Sequence, residues 1–135
     1  MAWHPAWEAR RDAMLANGLP ARVLGVKLMP PWEGHQLLAV ILDIDEGHLP
    51  RSHAQRGVAL HISLIFHEEM SEELWEAAAQ LNARWAGRAL LLHISWMGSG
   101  GAAFLGGGDA LAADQDLRRL HAAGSYAHRE LHVSL

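Results

Sequence analysis

The chain has 135 residues, half of them hydrophobic and 19% charged, which suits one globular domain over 1–135 with its own core and argues against disorder. Eleven Lys and Arg against 15 Asp and Glu leave a net charge of -4, the wrong sign for a protein that holds duplex or other long nucleic acid through its field. Zero cysteines exclude disulfides, thiol nucleophiles and sulfur-ligated zinc, whereas ten histidines are a surplus of the one side chain that changes charge near neutral pH.

The first element predicted is a helix within residues 1–18, from Pro5 to Asn17, with Trp3, Ala6, Trp7, Ala13 and Met14 at helical spacing and Gly18 and Pro20 as stop signals. Arg22 to Met29 and Gln36 to Asp43 read as paired strands around the turn chemistry of Pro30, Pro31 and Gly34. A polar loop follows to Gly57, carrying Arg51, His53 and Arg56. Ala59 to Phe66 is the next strand. Ser71 caps a helix whose apolar face is Leu74, Ala77, Ala78, Leu81 and Trp85, ended by Gly87. Arg88 to Met97 reads as one strand, with Trp96 on its core side, and Ala102 to Leu105 as a short return after a glycine turn. Asp109 caps a helix stopped by Gly124, and Glu130 to Leu135 is the final strand. The fold class is therefore α+β. No apolar run reaches signal-peptide or bilayer-spanning length, so the expectation is a cytoplasmic protein with no membrane partner. Trp3, Trp7 and Trp32 are candidates for a contact surface between subunits.

Strict alternation puts His61 and Ser63 on one face of their strand and Leu60, Ile62, Leu64 and Phe66 on the other. The terminal strand repeats this with His132 and Ser134 against Leu131, Val133 and Leu135. Two imidazoles supply an acid and a base, and two hydroxyls supply donors to a phosphate held between them. That pairing suits in-line attack on a phosphodiester without a metal or other cofactor.

The motifs H61-I-S63-L and H132-V-S134-L, at 61–64 and 132–135, resemble the paired H-x-[ST]-x signature of the 2H phosphoesterase superfamily, whose members include RNA 2',3'-cyclic phosphodiesterases. The resemblance covers Leu37 to Leu135. It implies a two-lobed fold in which two antiparallel sheets line a cleft with helices outside. It also implies that His61 and His132 are catalytic, that Ser63 and Ser134 bind phosphate oxygens, and that the substrate is a small nucleotide, cyclic nucleotide or RNA terminus. Both hydroxyls are serine where threonine is common. The second motif also ends the chain, so the expectation is either that the Arg22 to Asp43 hairpin flanks the last strand in a permuted arrangement or that the sequence is truncated from a longer chain.

Ten histidines and seven serines give about half an H-x-S triplet by chance, and three occur, the third being H93-I-S95-W. His93 is a structural strand histidine or lines the cleft. Tyr126 and Arg129, just before the second motif, are candidate contacts for a base and a phosphate. Two readings compete with the phosphodiesterase: a nucleotide-binding module without chemistry, and a metal-dependent hydrolase using histidine and carboxylate ligands, for which His128 and His132 would share a helical face.

Overall fold

A computed structural model describes residues 5–45, 59–98 and 101–135, with side chains from residue 8 onward. The basic loop residues Arg51, His53 and Arg56 and the side chains of Trp3 and Trp7 lie outside the described residues.

The architecture is α+β, with two antiparallel sheets. Helix α1 (Pro5–Asn17) ends at Gly18, where φ is +84° and an added Cβ would lie 2.9 Å from the Leu92 carbonyl oxygen, so glycine alone fits. Strand β1 (Leu19–Leu28) pairs with β2 (Leu37–Asp43), and β2 with β3 (His61–Phe66). Helix α2 (Glu72–Trp85) follows, N-capped by Ser71, whose hydroxyl accepts from Leu74 N at 3.3 Å. Its buried face is Ala77, Ala78, Leu81 and Trp85, as the 3.6-residue period requires.

The segment expected as one strand from Arg88 to Met97 is two. Strand β4 (Ala89–Leu92) closes the first sheet, order β3-β2-β1-β4, whereas β5 (Ile94–Met97) opens the second, order β5-β6-β7. The break falls at His93, whose amide donates to Asp109 Oδ2 at 2.6 Å. A carboxylate takes that amide out of the ladder, and the chain changes sheets there. Asp109 is 1% exposed and also accepts from Leu111 N and Ala112 N, so it caps a tight turn and not the helix assigned to it. The cap of α3 (Gln115–Ala123) is Asp114, which accepts from Asp116 N and Leu117 N.

Strands β6 (Ala102–Leu105) and β7 (His132–Ser134) complete the second sheet. The last strand is shorter than its apolar pattern, with single backbone bonds, Leu105 N to Leu131 O and Leu135 N to Gly101 O, continuing the pairing on each side. The β1–β2 hairpin does not flank it: β4 and β3 already occupy the outer edges of β1 and β2, leaving none for β7. Leu81, Ile62, Leu92, Leu117, Val133 and Met14 belong to one apolar core joining both sheets and all three helices. No helix among the described residues is long and apolar enough to cross a membrane.

Asp114 also clamps α2 to α3. It receives Arg84 Nε at 3.0 Å and Trp85 Nε1 at 2.8 Å, and Arg84 reaches Asp116 as well. Burial pushes the Asp114 pKa up, but the bonds from Arg84, Trp85 and the helix amides outweigh it and hold the carboxyl below its usual value. A carboxyl depressed in the folded state contributes stability that is complete above its unfolded pKa and is lost as pH falls through its folded pKa. Thermal melts should therefore show stability falling below about pH 4, and Asp114→Asn should flatten that acid limb; an unchanged limb would remove Asp114 as its source.

Candidate active site

The two H-x-S motifs occupy the edge strands β3 and β7, one in each sheet, and these two edges approach each other. Pairing fixes which side chains share the exposed face. In β3, His61 lies opposite Ile41, Ser63 opposite Ala39, Ile65 opposite Leu38 and Phe66 opposite Leu37. Between Ser63 and Ile65, Leu64 is an extra residue, a β-bulge. Strict alternation assigns Phe66 to the side away from His61; the bulge returns it to the histidine face and turns Ile65 into the core, where it is fully buried. Ser63 is also nearly buried, at 9% exposure, so that face is less open than alternation alone implies.

The same device operates in the second sheet. Ile94 pairs with Leu105 and Trp96 with Phe104, leaving Ser95 as the extra residue; its hydroxyl donates to Phe104 O at 3.0 Å. Trp96 is thereby removed from the core side expected for it and is 47% exposed. Its ring stacks on Phe104 at 3.9 Å, and Phe104 meets the His132 ring at 5.2 Å. Trp96 Nε1 donates to Glu130 Oε2 at 3.2 Å. A continuous aromatic row therefore backs His132.

Both motif histidines are anchored alike. His61 Nδ1 lies 2.7 Å from Ala59 O, and His132 Nδ1 lies 2.8 Å from Glu130 O. A carbonyl oxygen only accepts, so each Nδ1 carries the hydrogen, and Nε2 holds the lone pair in the neutral ring. The bond spans two residues in each case and follows from an extended backbone, in which residues i and i−2 lie on one face. His128 makes a comparable bond to Ser125 O at 2.6 Å within its own turn; what distinguishes 61 and 132 is the shared strand setting with a hydroxyl two residues on.

Tyr126 and Arg129 come to the β3 end of the site. Tyr126 meets Phe66 edge-on at 6.0 Å, and the Arg129 guanidinium lies 5.4 Å from the Tyr126 ring centre. The 3-10 turn Ser125–His128 is held there by Glu69, which accepts from Ser125 N at 2.8 Å and Ser125 Oγ at 3.2 Å. Gly124 permits the approach, since a Cβ would lie 2.7 Å from Glu69 Oε1 and 2.8 Å from Ile65. This turn and the extended strand after it separate His128 from His132, so the helical pair considered for a metal does not form. Among the described residues no group of three or more His, Asp or Glu is arranged to hold a metal ion. His93 is exposed, and no hydrogen bond or ring contact joins its side chain to either motif histidine among the described residues.

His61 also lines a cavity of about 610 Å³ that includes Lys27, Trp32, Leu37, Ile41 and Phe66. Lys27 pairs with Ala39, itself opposite Ser63, which puts a cation two strands from the first serine on the same face. The signal for Lys27 was present in the sequence as the only lysine, alone among apolar neighbours of its strand. His35 lines the cavity too; its ring meets Phe66 at 5.6 Å and its Nδ1 lies 2.8 Å from Glu68 Oε1. Glu68 titrates below its usual range because of its backbone hydrogen bond and then His35.

Comparison with protein-family models, curated proteins and solved structures finds no match for the chain.

Proposed function

We propose that the chain is a metal-independent phosphodiesterase of the 2H type, acting on a cyclic phosphate or on a 2'-5' or 3'-5' bond in a small nucleotide or RNA terminus. The observation that carries the reading is the repetition of one unit on two neighbouring sheet edges: an imidazole locked through Nδ1 to the carbonyl two residues back, with a serine two residues on. In this mechanism one Nε2 takes a proton from water as its oxygen bonds to phosphorus. The other imidazole, protonated, gives its proton to the ester oxygen as the P–O bond breaks. The result is a phosphomonoester and a free hydroxyl, with the two histidines in exchanged protonation states. Ser63 and Ser134 donate to the phosphate oxygens that gain charge, and Arg129 and Tyr126, beside Phe66, are further contacts to the substrate.

The test is turnover of 2',3'-cyclic nucleotides and short 2'-5' and 3'-5' oligonucleotides, with and without EDTA. The expected result is hydrolysis unaffected by the chelator, with a bell-shaped dependence of kcat/KM on pH because base and acid must hold opposite protonation states. A flat profile from about pH 5 to 9 opposes the histidine pair. Loss of activity in EDTA moves the protein to metal-dependent hydrolysis, and binding without turnover makes it a nucleotide-binding module.

A further inference from the structure

The second sheet contributes His132 without lining the 610 Å³ cavity, whereas the first sheet places His61 in its wall. The candidate site is therefore lopsided, with room for an organic group on the His61 side. Its volume falls within the range of sites that enclose small ligands, about 300–1,000 Å³. The walls are apolar: Leu28, Met29, Leu37 and Ile41, with Pro30 and Pro31 at the hairpin end. Trp32, Phe66 and the His35 ring supply flat surfaces, and Lys27 is the only permanent cation among the described lining residues.

The hairpin end is preformed. Trp32 and His35 exchange both backbone hydrogen bonds, at 2.8 and 2.9 Å, around Glu33 and Gly34, both with positive φ, +50° and +79°. Positive φ at both central residues is the geometry of a tight two-residue hairpin, so the indole is carried on a short closed turn. Trp32 is nonetheless 75% exposed, a large apolar ring left in water at the mouth of a cavity that a histidine motif enters.

We propose that this cavity receives the nucleobase of the substrate, stacked against Trp32, while the phosphate attached through its sugar lies at His61. The inference rests on the phosphodiesterase reading and adds where the base of that nucleotide binds and how selective the site is for it. Stacking on an aromatic side chain strengthens binding by roughly 5- to 150-fold per base and is tolerant of base identity. The polar side chains among the described lining residues are Lys27, His35 and His61; with His35 tied to Glu68 and His61 at the phosphate, Lys27 alone is left to meet a base edge, and an ammonium donor suits acceptors that every base carries. All four bases should therefore be accepted, with kcat/KM values within about tenfold of one another.

The experiment compares four 2',3'-cyclic nucleotides with ribose 2',3'-cyclic phosphate, which lacks the base, on wild type, Trp32→Ala and Trp32→Phe. The wild type should favour the nucleotides. Trp32→Ala should shrink that advantage about tenfold, through KM and not kcat, and Trp32→Phe should restore most of it. An advantage unchanged by Trp32→Ala, or none in the wild type, overturns the proposal. Adenosine, which has no phosphate, separates this inference from the reading beneath it. NMR shifts of the Leu37 and Ile41 methyls on adding adenosine, lost in Trp32→Ala, support the base site even where no phosphodiester is cleaved. Methyl shifts with an aliphatic alcohol but none with adenosine make the cavity a site for another class of ligand and overturn the base assignment.

Discussion

Replacing His61 or His132 with alanine should lower turnover of a cyclic phosphodiester by about 10²–10⁴-fold, the usual loss when a positioned acid or base is removed. Each imidazole is partly buried on an edge strand and held by one local hydrogen bond to the carbonyl two residues back, so its removal leaves the ladder pairing of β3 and β7 in place. Circular dichroism and thermal melting should consequently change little. The double variant should lose scarcely more than the worse single variant, because acid and base act in one step and their effects are not additive. Ser63→Ala and Ser134→Ala should be milder, each removing one donor to phosphate. Rates within twofold of wild type in both histidine variants would dismiss the paired mechanism.

Asp109→Ala should be the most destabilising single substitution among the polar residues described. The carboxylate is 1% exposed and accepts from three amides, those of His93, Leu111 and Ala112. Its loss strands buried donors at about 1–3 kcal/mol each where water cannot replace it, so the expected cost is about 3–5 kcal/mol. In a chain of this size that lowers Tm by roughly 10–20 °C. Asp109→Asn keeps an acceptor oxygen and should cost roughly half as much. Urea denaturation at neutral pH measures both. A cost below about 1 kcal/mol for the alanine variant would mean that the change of sheet at His93 does not depend on this carboxylate. Hydrogen exchange should also show that the His93 amide is protected in the wild type and exposed in the variant.

Local pattern sufficed wherever one element's own residues decide its state. The helix of Ser71 to Trp85 was legible because a serine cap, acidic first turn and 3.6-residue apolar period agree with one another. The strands around His61 and His132 were legible because period-two alternation of imidazole and hydroxyl against leucine, isoleucine and valine has few other solutions. Composition was equally direct: charge and the absence of cysteine concern the whole chain and need no fold.

Pairing partners, register and closeness between distant segments were not legible, because they depend on residues far away in the chain. Alternation misplaced Phe66 and Trp96 for one reason: in each strand a single bulged residue, Leu64 or Ser95, shifts every later side chain to the other face. The run from Arg88 to Met97 is continuous in character, and it divides between two sheets at His93, whose amide bonds to the carboxylate of Asp109, 16 positions further on. A partner for the last strand could not be assigned from its own residues, since the hairpin proposed for it spends both outer edges on β3 and β4. The sequence by itself thus determined that imidazole and hydroxyl share one strand face at a spacing of two in both motifs, because backbone geometry enforces that spacing locally. Only the tertiary structure decided what surrounds them, the aromatic row behind His132, the Tyr126 turn beside Phe66 and the cavity at His61, because those contacts arise where two sheets meet.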